Sequence, residues 1–490
     1  MTEKACTTVL VGKKASIDGS TMVARNDDTF LPLAPHRFYM HPAESGVDET
    51  IVSSQNGFTA KLPANGYRHS AVPNIDPDRD GIYDESGFNE KNVAMSATES
   101  VYGNPKTLRV LFRSATESVY GNPKTLAYDP LVPNGLAEDT MPTMVLPYID
   151  SARMGVEYLG KLIAKYGSPE GNGVIFSDKD DVWYMEIVTG HHWVAQRIPD
   201  DSYAVAANQV AIQQVDFNDP DNFMWSEGIQ EFVEKYHLNP DHEGWNFRHI
   251  FGTDTEKDRH YNTPRVWYGQ LYLNPEIEQD PQSSELPFIR QASRKITVED
   301  VGNILSSHYN ETKYDPFGHG DDKDRLKFRP ISMNRTQNSH VLQIRNDVPE
   351  DRSAIFWLNF GVPAFSPYVP FFNNATDTDP SYSATKQTMN LDDAYWMYRA
   401  VGSVVEGHYS QFIQKNVDYV TASKEFLRGR VAEIDRQAAE LSGEELTKFL
   451  TEANHQTVAA MKERTMKHFN DLLATGLTLS KLTFNMDKNL

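Results

Sequence analysis

The first 25 residues have the pattern of a β-hairpin, and this pattern begins at the only cysteine of the 490-residue chain. Cys6 opens a run of β-favouring residues that extends to Val11, and a second such run ends at Arg25. Between the two runs, Asp18-Gly19 is a typical hairpin-turn pair. The pattern therefore predicts two antiparallel strands, with Cys6 at the start of the first.

A single cysteine has no partner for an internal disulfide, so Cys6 is either a packing residue or a reactive group. Its position favours a reactive group. If Met1–Ala5 are removed as a propeptide, Cys6 carries a thiol and a free α-amine on the same residue. Unperturbed, these groups titrate near pH ~8.5 and ~8. We therefore expect a nucleophile and a general base on one residue, both close to the useful pKa range.

The composition is that of a globular protein with an acidic balance, since the net charge is -21. This charge disfavours nucleic acids and anionic membrane surfaces as partners. No apolar run reaches the roughly 18 residues of a spanning helix. The first residues lack the apolar core of a secretory signal, and no disulfide framework is possible. We therefore expect a cytoplasmic protein.

The strand-like runs and the helical runs occupy different parts of the chain. Strand patterns with short connections recur over residues 173–207 and 340–358, which predicts antiparallel meanders. Near residue 390 the pattern becomes helical, with one helix expected to begin at Leu391 and another after a capping box at Ser442 and Glu445. We therefore expect a main domain over 6–390 and a helical carboxy-terminal portion over 391–490, which packs on the main domain or mediates self-association.

A perfect repeat interrupts the first half of the chain, because SATESVYGNPKTL occurs at residues 96–108 and again at 114–126. Two copies are too few for a solenoid. One strand position accommodates only one copy, so we expect the other to be extruded as a loop. The sequence leaves open which copy is native-like, and whether the repeat is a recent duplication or an artefact.

The second run of the hairpin continues into Arg25-Asn26-Asp27-Asp28. Hairpin pairing is expected to bring Arg25 and Asp28 back beside Cys6. A guanidinium near a thiol favours the thiolate and lowers the pKa of the thiol. A carboxylate near the α-amine would accept a hydrogen bond from it. The alternative interpretation is a surface ion pair, which contributes only about 0–1 kcal/mol.

Two further motifs resemble metal-binding sequences only in part. Asp76–Gly81 resembles the start of a calcium loop, but Gly87 stands where an EF-hand loop needs glutamate, so we expect an exposed turn. His242 and His249 are not four residues apart, as the zinc-peptidase motif requires. We expect these histidines to be packed or exposed to solvent.

Several separated motifs, in the expected order, resemble the bacterial dipeptidase A family. These are cysteine peptidases of the N-terminal-nucleophile hydrolase superfamily, related to the secernins and more distantly to bile salt hydrolases and penicillin V acylases. The resemblance covers roughly residues 5–400 and implies an α+β fold, a four-layer αββα sandwich with two stacked antiparallel sheets. The motifs are Cys6–Thr8, Val11–Ala15, Asp18–Thr21, Ala24–Arg25, Gly87–Ser100, Val182–Glu186, Tyr314–Pro316 and Asn334–Gln337, and Arg25–Asp28 is shared with the acylases.

The resemblance also implies residue roles. Cys6 is the expected nucleophile, and its α-amine the base. Glu99 stands where the acylases carry an oxyanion-hole asparagine, and an ionised carboxylate cannot donate a hydrogen bond. We therefore expect Glu99 to bind the free ammonium of a dipeptide, with Glu117 as its duplicate in the second copy. The other implied catalytic residues are Arg25 and Asp28 beside the nucleophile, Asn208 in the oxyanion hole and Arg265 as a second active-site arginine.

The expected function is therefore hydrolysis of unblocked dipeptides, with broad specificity, through a thioester on Cys6. We expect no cofactor and no metal, dipeptides as the partners, and a homo-oligomer. Two alternatives stay open: an N-acyl amidohydrolase of the bile salt hydrolase or penicillin acylase type, and a catalytically silent, secernin-like binding protein. The sequence does not reveal side-chain preference, subunit number or whether Met1–Ala5 is removed autocatalytically.

Overall fold

The structure is a computed structural model that describes residues 6–29, 31–102, 119, 120 and 122–479. The strands are β1 (Thr7–Val11), β2 (Thr21–Asp28), β3 (Tyr39–His41), β4 (Glu44–Ser45), β5 (Thr50–Val52), β6 (Thr59–Lys61), β7 (Asn65–Gly66), β8 (His69–Ala71), β9 (Ser86–Phe88), β10 (Ala94–Tyr102), β11 (Val119–Tyr120), β12 (Gly171–Ser177), β13 (Val182–Ile187), β14 (Trp193–Arg197), β15 (Tyr203–Ala206), β16 (Phe223–Trp225), β17 (Ile289–Arg290), β18 (Thr336–Ile344), β19 (Ala354–Phe360) and β20 (Val369–Phe372). The α-helices are α1 (Pro77–Asp80), α2 (Pro123–Leu126), α3 (Met141–Val145), α4 (Ala152–Tyr166), α5 (Ile229–Lys235), α6 (Phe247–Phe251), α7 (Glu256–Tyr261), α8 (Thr263–Leu273), α9 (Val298–Leu305), α10 (Asp322–Arg325), α11 (Pro380–Ser383), α12 (Ala394–Gly407), α13 (Tyr409–Gln437) and α14 (Gly443–Thr478).

The predicted hairpin is confirmed, because β1 and β2 are antiparallel neighbours in the middle of a seven-stranded sheet. In the register Thr8 lies opposite Arg25 on one side and opposite Ala206 of β15 on the other. Gly19 in the connection has a φ of 75°, a left-handed conformation that glycine adopts without a steric cost. The strand order is β17-β15-β1-β2-β18-β19-β20, and every neighbouring pair is antiparallel.

The predicted meanders are also present. β12, β13 and β14 pair in sequence within a second seven-stranded sheet of order β11-β10-β12-β13-β14-β16, with β9 beside β10. The run near residue 203 is β15 and joins the first sheet instead. β18 and β19 form the later antiparallel pair.

The second sheet is buried on both faces, which explains its apolar strands. Trp183 and Met185 of β13 face a core shared with α3 and α4, whereas Tyr184 faces a core shared with the first sheet. Successive side chains of a strand point to opposite faces, so a strand covered on both sides is apolar throughout. β2 lies against β10, β12 and β13, α4 packs on β12 and β13, and α8 and α9 pack on the first sheet. The fold is α+β.

Three of the described helices, α12, α13 and α14, follow residue 393. α13 packs along α14, and α14 contacts β20. Ser442 is the N-cap residue of α14, as predicted, but its side chain makes no capping hydrogen bond. The helix expected from Leu391 begins at Ala394, because Asp393 is its N-cap residue. Among the described helices, none combines the length and the apolar character needed to cross a bilayer.

The two repeat copies contribute different parts of the structure. Ser96–Tyr102 of the first copy belongs to β10, whereas Pro123–Leu126 of the second copy forms α2. Val119–Tyr120 of the second copy pairs in parallel with Val101–Tyr102 of the first. Residues 103–118 lie outside the described residues, so extrusion of one copy as a loop stays a prediction.

Candidate active site

The hairpin register brings the Arg25 guanidinium to the sulfur of Cys6. The strand β1 begins at Thr7, one residue later than predicted, and Thr8 lies opposite Arg25, so Cys6, just before β1, is close to the end of β2. Arg25 Nη1 lies 3.5 Å from Cys6 Sγ, and the Cys6 side chain is only 2% exposed. The predicted proximity of these two residues is confirmed, and both lie in the protein interior rather than at its surface.

Two glutamates share the charge of Arg25. Glu85 Oε2 accepts a hydrogen bond from Arg25 Nη2, and Glu138 Oε1 lies 3.2 Å from Arg25 Nη1. The Ala97 carbonyl oxygen of β10 accepts another hydrogen bond from Nη1. All three charged side chains are buried. A buried charge is tolerated only when it is paired and hydrogen-bonded, and this network meets that condition.

The expectation of a thiol near its ordinary pKa is wrong for this structure. Burial raises the pKa of Cys6 to about 12, because a thiolate is poorly stabilised away from water. Arg25 lowers the pKa of the thiol, as expected, but Glu138, Asp27 and Asp28 raise it. The buried thiol therefore keeps its proton at neutral pH, and deprotonation needs a base close to the sulfur.

Arg265, on α8, holds the main chain of the cysteine from the other side. The guanidinium is fully buried and surrounded by oxygen acceptors. Its Nη1 donates to the Cys6 carbonyl oxygen at 2.6 Å and to Thr7 Oγ1 at 3.0 Å. The remaining acceptors are Asn208 Oδ1 at 2.8 Å and Asn262 Oδ1 at 2.7 Å from Nη2, and the Tyr261 carbonyl oxygen at 2.8 Å from Nε.

Asn208 follows the end of β15, and its position comes from the same sheet. Ala206 pairs with Thr8, so the antiparallel register continues toward Cys6 at Asn208. Asn208 Oδ1 accepts from Arg265, and the amide nitrogen of the same side chain is a hydrogen-bond donor. The structure thus brings together Cys6, Asn208 and Arg265, three residues that the resemblance implies.

Asp28 lies on the opposite face of β2 from Arg25. Its carboxylate accepts hydrogen bonds from Arg329 Nη2 and Thr336 Oγ1. Positions three apart on a strand face opposite sides, which separates Asp28 from the Arg25 network. Asp28 still acts on Cys6 electrostatically, since it raises the pKa of the thiol.

The backbone of Glu99 belongs to β10, opposite Asn172 of β12. The side chain of Glu99, and all of Glu117, lie outside the described residues. The predicted contact with a substrate ammonium therefore stays a prediction, as does the choice between the two glutamates.

Three charged residues of this site were not predicted: Glu85, Glu138 and Arg329. Glu85 and Glu138 are 60 and 113 residues away from Arg25 in the chain, and Arg329 is 301 residues away from Asp28. No local motif marks them, because their role depends on where distant loops pack. The one signal in the sequence is the run of four consecutive polar residues at the end of β2, Arg25–Asp28. Because successive residues of a strand point to opposite faces, such a run predicts polar partners on both faces.

Two groups of histidine and acidic side chains among the described residues bring their ligand atoms within 4.8 Å of one another. The first comprises Asp27, His36 and Glu85, and His36 Nε2 lies 3.4 Å from Asp27 Oδ2. This group is part of the charge network around Arg25. The second group is formed by His41, His69 and Asp84.

The chain is similar to known proteins over nearly its whole length. The model of peptidase family C69 matches residues 5–111 and 107–422, and the two matches meet at the repeat. A "Probable dipeptidase" from Latilactobacillus sakei is 56% identical over 486 residues, which cover 99% of this chain and 98% of that protein. "Dipeptidase A" from Lactobacillus helveticus is 36% identical over 492 residues, covering 99% and 100%.

A solved penicillin V acylase from Agrobacterium tumefaciens shares 12% identity and a TM-score of 0.33, covering 75% of this chain and 86% of that one. The family match and the long relatives confirm the resemblance to the dipeptidase A family. The chain belongs to peptidase family C69 and is a hydrolase of the peptidase class.

Proposed function

We propose that this chain is a cysteine dipeptidase that hydrolyses unblocked dipeptides of many side-chain types through Cys6. The observation that carries the proposal is the position of Arg25 Nη1, 3.5 Å from the Cys6 sulfur, in a chain whose relatives are named dipeptidases. A guanidinium at this distance stabilises the thiolate as it forms. The two sides of the proposed nucleophile are held separately, its sulfur by Arg25 and its carbonyl oxygen by Arg265.

The α-amine of Cys6 is the proposed base. Because the buried thiol has a pKa of about 12, it does not ionise by itself at neutral pH. Removal of Met1–Ala5 would create an amine on the same residue, which takes the proton as Sγ attacks the peptide carbonyl carbon. The amine then gives this proton to the leaving nitrogen, and the thioester is hydrolysed by water.

Asn208 is the proposed oxyanion donor, and Arg265 the residue that positions it. Arg265 binds Asn208 Oδ1 and the Cys6 carbonyl oxygen at once, so it sets the distance between the donor and the nucleophile. Preorganised donors of this kind stabilise the tetrahedral intermediate. Asp28, paired with Arg329, is proposed to fix the end of β2 and to act on the amine through its charge.

Glu99 is the proposed site for the substrate ammonium. β10 passes beside the nucleophile, since the Ala97 carbonyl oxygen accepts from Arg25, and Glu99 follows two positions later on that strand. Glu99→Gln should reduce turnover of unblocked dipeptides more than turnover of N-blocked substrates, because only the former carry the ammonium. Exposed Glu90 provides the matched control, Glu90→Gln. Equal losses on both substrate types would contradict this role.

We also propose a four-layer αββα arrangement for the main domain, residues 6–390. It is supported by the contacts of β2 with β10 and β12, with α4 on the far side of one sheet and α8 and α9 on the other. The packing of α14 on β20 supports the proposal that the helical portion, residues 391–490, covers the main domain. Location and subunit number stay predictions.

The test compares two substrate classes on protein whose first residue is Cys6, verified by intact mass and amino-terminal sequencing. Unblocked dipeptides and N-acyl amino acids are assayed in parallel, with Cys6→Ala as the matched control that removes only the sulfur. Cleavage of dipeptides by the wild type alone is expected. Cleavage of N-acyl compounds only would favour the amidohydrolase, and cleavage of neither would favour the binding protein. Activity that persists with Met1–Ala5 attached, or after alkylation of the thiol, would contradict the mechanism.

A further inference from the structure

A pair of stacked histidines lies on the small sheet formed by β3 and β8. His41 and His69 are directly opposite each other in this antiparallel register. Side chains of opposite residues point to the same face, so the two imidazoles meet. Their ring planes are 6° apart in orientation and their centroids are 4.4 Å apart. The backbone register of β3 and β8 thus places two potential metal ligands side by side.

The geometry of His69 identifies which ring nitrogen is available. Nδ1 lies 3.1 Å from the Tyr67 carbonyl oxygen, which can only accept, so Nδ1 carries the hydrogen. In the neutral ring Nε2 then presents a lone pair. His69 is 8% exposed, and neither its Nε2 nor that of His41 has a hydrogen-bond partner among the described residues. An unsatisfied buried acceptor costs free energy, so the buried Nε2 of His69 is stabilised by a ligand.

Asp84 supplies a carboxylate to the same point. Its Oδ1 lies 3.7 Å from His41 Nε2, and its Oδ2 accepts a hydrogen bond from Thr143 Oγ1. Oδ1 therefore faces the histidines, while Oδ2 is fixed by its hydrogen bond from Thr143. In metal sites the ligating carboxylate is itself hydrogen-bonded, and a ligating histidine donates its second N–H to a carbonyl. Asp84 and His69 both have such a supporting contact.

We propose that His41, His69 and Asp84 form a binding site for a divalent transition-metal ion, with zinc as the best match. Two imidazoles and one carboxylate are a donor set that suits zinc better than magnesium or calcium. All three ligand atoms lie within 4.8 Å of one another. In a tetrahedral site with bonds of about 2.0–2.2 Å the ligand atoms lie roughly 3.4 Å apart, so the three side chains must move together on binding, and each stacked ring must turn about its Cβ–Cγ bond until its in-plane lone pair points to the ion. The His41 side chain is 33% exposed and provides the entry path.

This site is structural, and it supports the Arg25 network through the chain. Asp84 immediately precedes Glu85, which binds Arg25. Tyr83 and Glu85, on either side of Asp84, have φ values of 46° and 55°, a left-handed conformation that is costly for residues other than glycine. A metal bound to Asp84 would hold this strained segment in place. The proposal does not depend on the function of Cys6.

The test is titration of the metal-stripped wild-type chain with zinc sulfate, followed by calorimetry. We expect one zinc per chain, a rise in the melting temperature with zinc, and at least tenfold weaker binding in His41→Ala and Asp84→Asn. The same stoichiometry in Cys6→Ala would show that the thiol is not the ligand. His242→Ala, which changes an exposed histidine, is the matched control and should bind as the wild type does.

Two results would overturn the proposal. One is the absence of saturable zinc binding in the wild type. The other is unchanged zinc affinity in both His41→Ala and Asp84→Asn, with circular dichroism showing that each variant is folded. Because these measurements record binding and melting rather than turnover, they stay interpretable even if the chain proves not to cleave dipeptides.

Discussion

The two faces of the β1–β2 hairpin carry opposite excesses of buried charge. On the face that carries the Cys6 sulfur, here called the sulfur face, Arg25 meets Glu85 and Glu138. On the opposite face, here called the arginine face, Arg265 and Arg329 lie together beside the carboxylate of Asp28. The alternation of side chains along two paired strands creates this separation, because neighbouring positions point to opposite sides.

Because of this difference, one face of the hairpin controls the ionisation of the thiol and the other holds the main chain of the cysteine. Burial and, to a smaller extent, the acidic excess on the sulfur face raise the pKa of the thiol, so its ionisation depends on a base close to the sulfur. On the opposite face, burial and the charge of Arg329 lower the pKa of Arg265 to about 9, and the guanidinium stays charged at neutral pH. Its hydrogen bonds hold the main chain of the cysteine rather than its side chain.

The largest expected effect comes from removing the cation of the sulfur face. Arg25→Met keeps much of the side-chain volume but leaves Glu85 and Glu138 buried without a counter-charge. We expect the free energy of unfolding to fall by about 3–5 kcal/mol and peptidase activity to be lost. Denaturant unfolding measures the first effect. A second change, Glu85→Gln, should restore part of the stability, and a loss below about 1 kcal/mol in Arg25→Met would contradict the network.

The next largest effect is expected from two asparagines that bind Arg265, of which only Asn208 is proposed to act in catalysis. Asn208 and Asn262 both accept from Arg265 Nη2, and Asn262 also donates to Asp258 Oδ1. Each hydrogen bond to a charged group is worth about 1.5–3 kcal/mol, so both Asn208→Ala and Asn262→Ala should lower the free energy of unfolding by at least that amount. Only Asn208→Ala should also lower kcat, by about 10²–10³. Steady-state kinetics and unfolding are measured for both. Similar kcat values in the two variants would remove Asn208 from the oxyanion hole.

A smaller effect is expected at Asp28. Asp28→Asn weakens the pairing with Arg329 but leaves the second oxygen for Thr336. We expect the free energy of unfolding to fall by about 1–3 kcal/mol, less than in Arg25→Met, because the removed charge leaves fewer unpaired partners. Denaturant unfolding at neutral pH makes the comparison. A larger loss than in Arg25→Met would reverse the proposed ranking of the two faces.

The smallest effect is a pH dependence at the end of β15. Glu186 of β13 accepts from the backbone nitrogens of Ala211 at 2.6 Å and Ile212 at 3.1 Å, just after Asn208. Burial raises the pKa of Glu186 to about 7 from an ordinary value of 4.5. Between these values the folded chain binds a proton that the unfolded chain has lost, so this group makes stability fall as pH rises.

Glu186→Gln removes that titration. Relative to the variant, the wild type should be more stable at pH ~5 than at pH ~8, since the cost of the buried carboxylate appears only as it ionises. Unfolding by denaturant at both pH values gives the difference. A difference between wild type and variant that is the same at both pH values would show that Glu186 titrates normally.

Much of the sheet architecture could be predicted, and much of the charge network could not. The β1–β2 hairpin, the meander of β12–β14 and the pair β18–β19 follow from alternating or continuously apolar runs between turn residues. The proximity of Arg25 to Cys6 follows from the hairpin alone. The predicted start of α12 is three residues too early, because Asp393 rather than Asn390 occupies the N-cap position.

Local pattern therefore decided that Cys6 immediately precedes a strand and that Arg25 lies beside it, because turns and strand periodicity act over a few residues. Tertiary packing decided the remaining features. It brings Glu85 and Glu138 to Arg25, pairs Arg329 with Asp28, and makes the thiol difficult to ionise. These properties depend on the exclusion of water and on contacts between residues 60 to 301 positions apart in the chain. Neither can be read from any single position of the sequence.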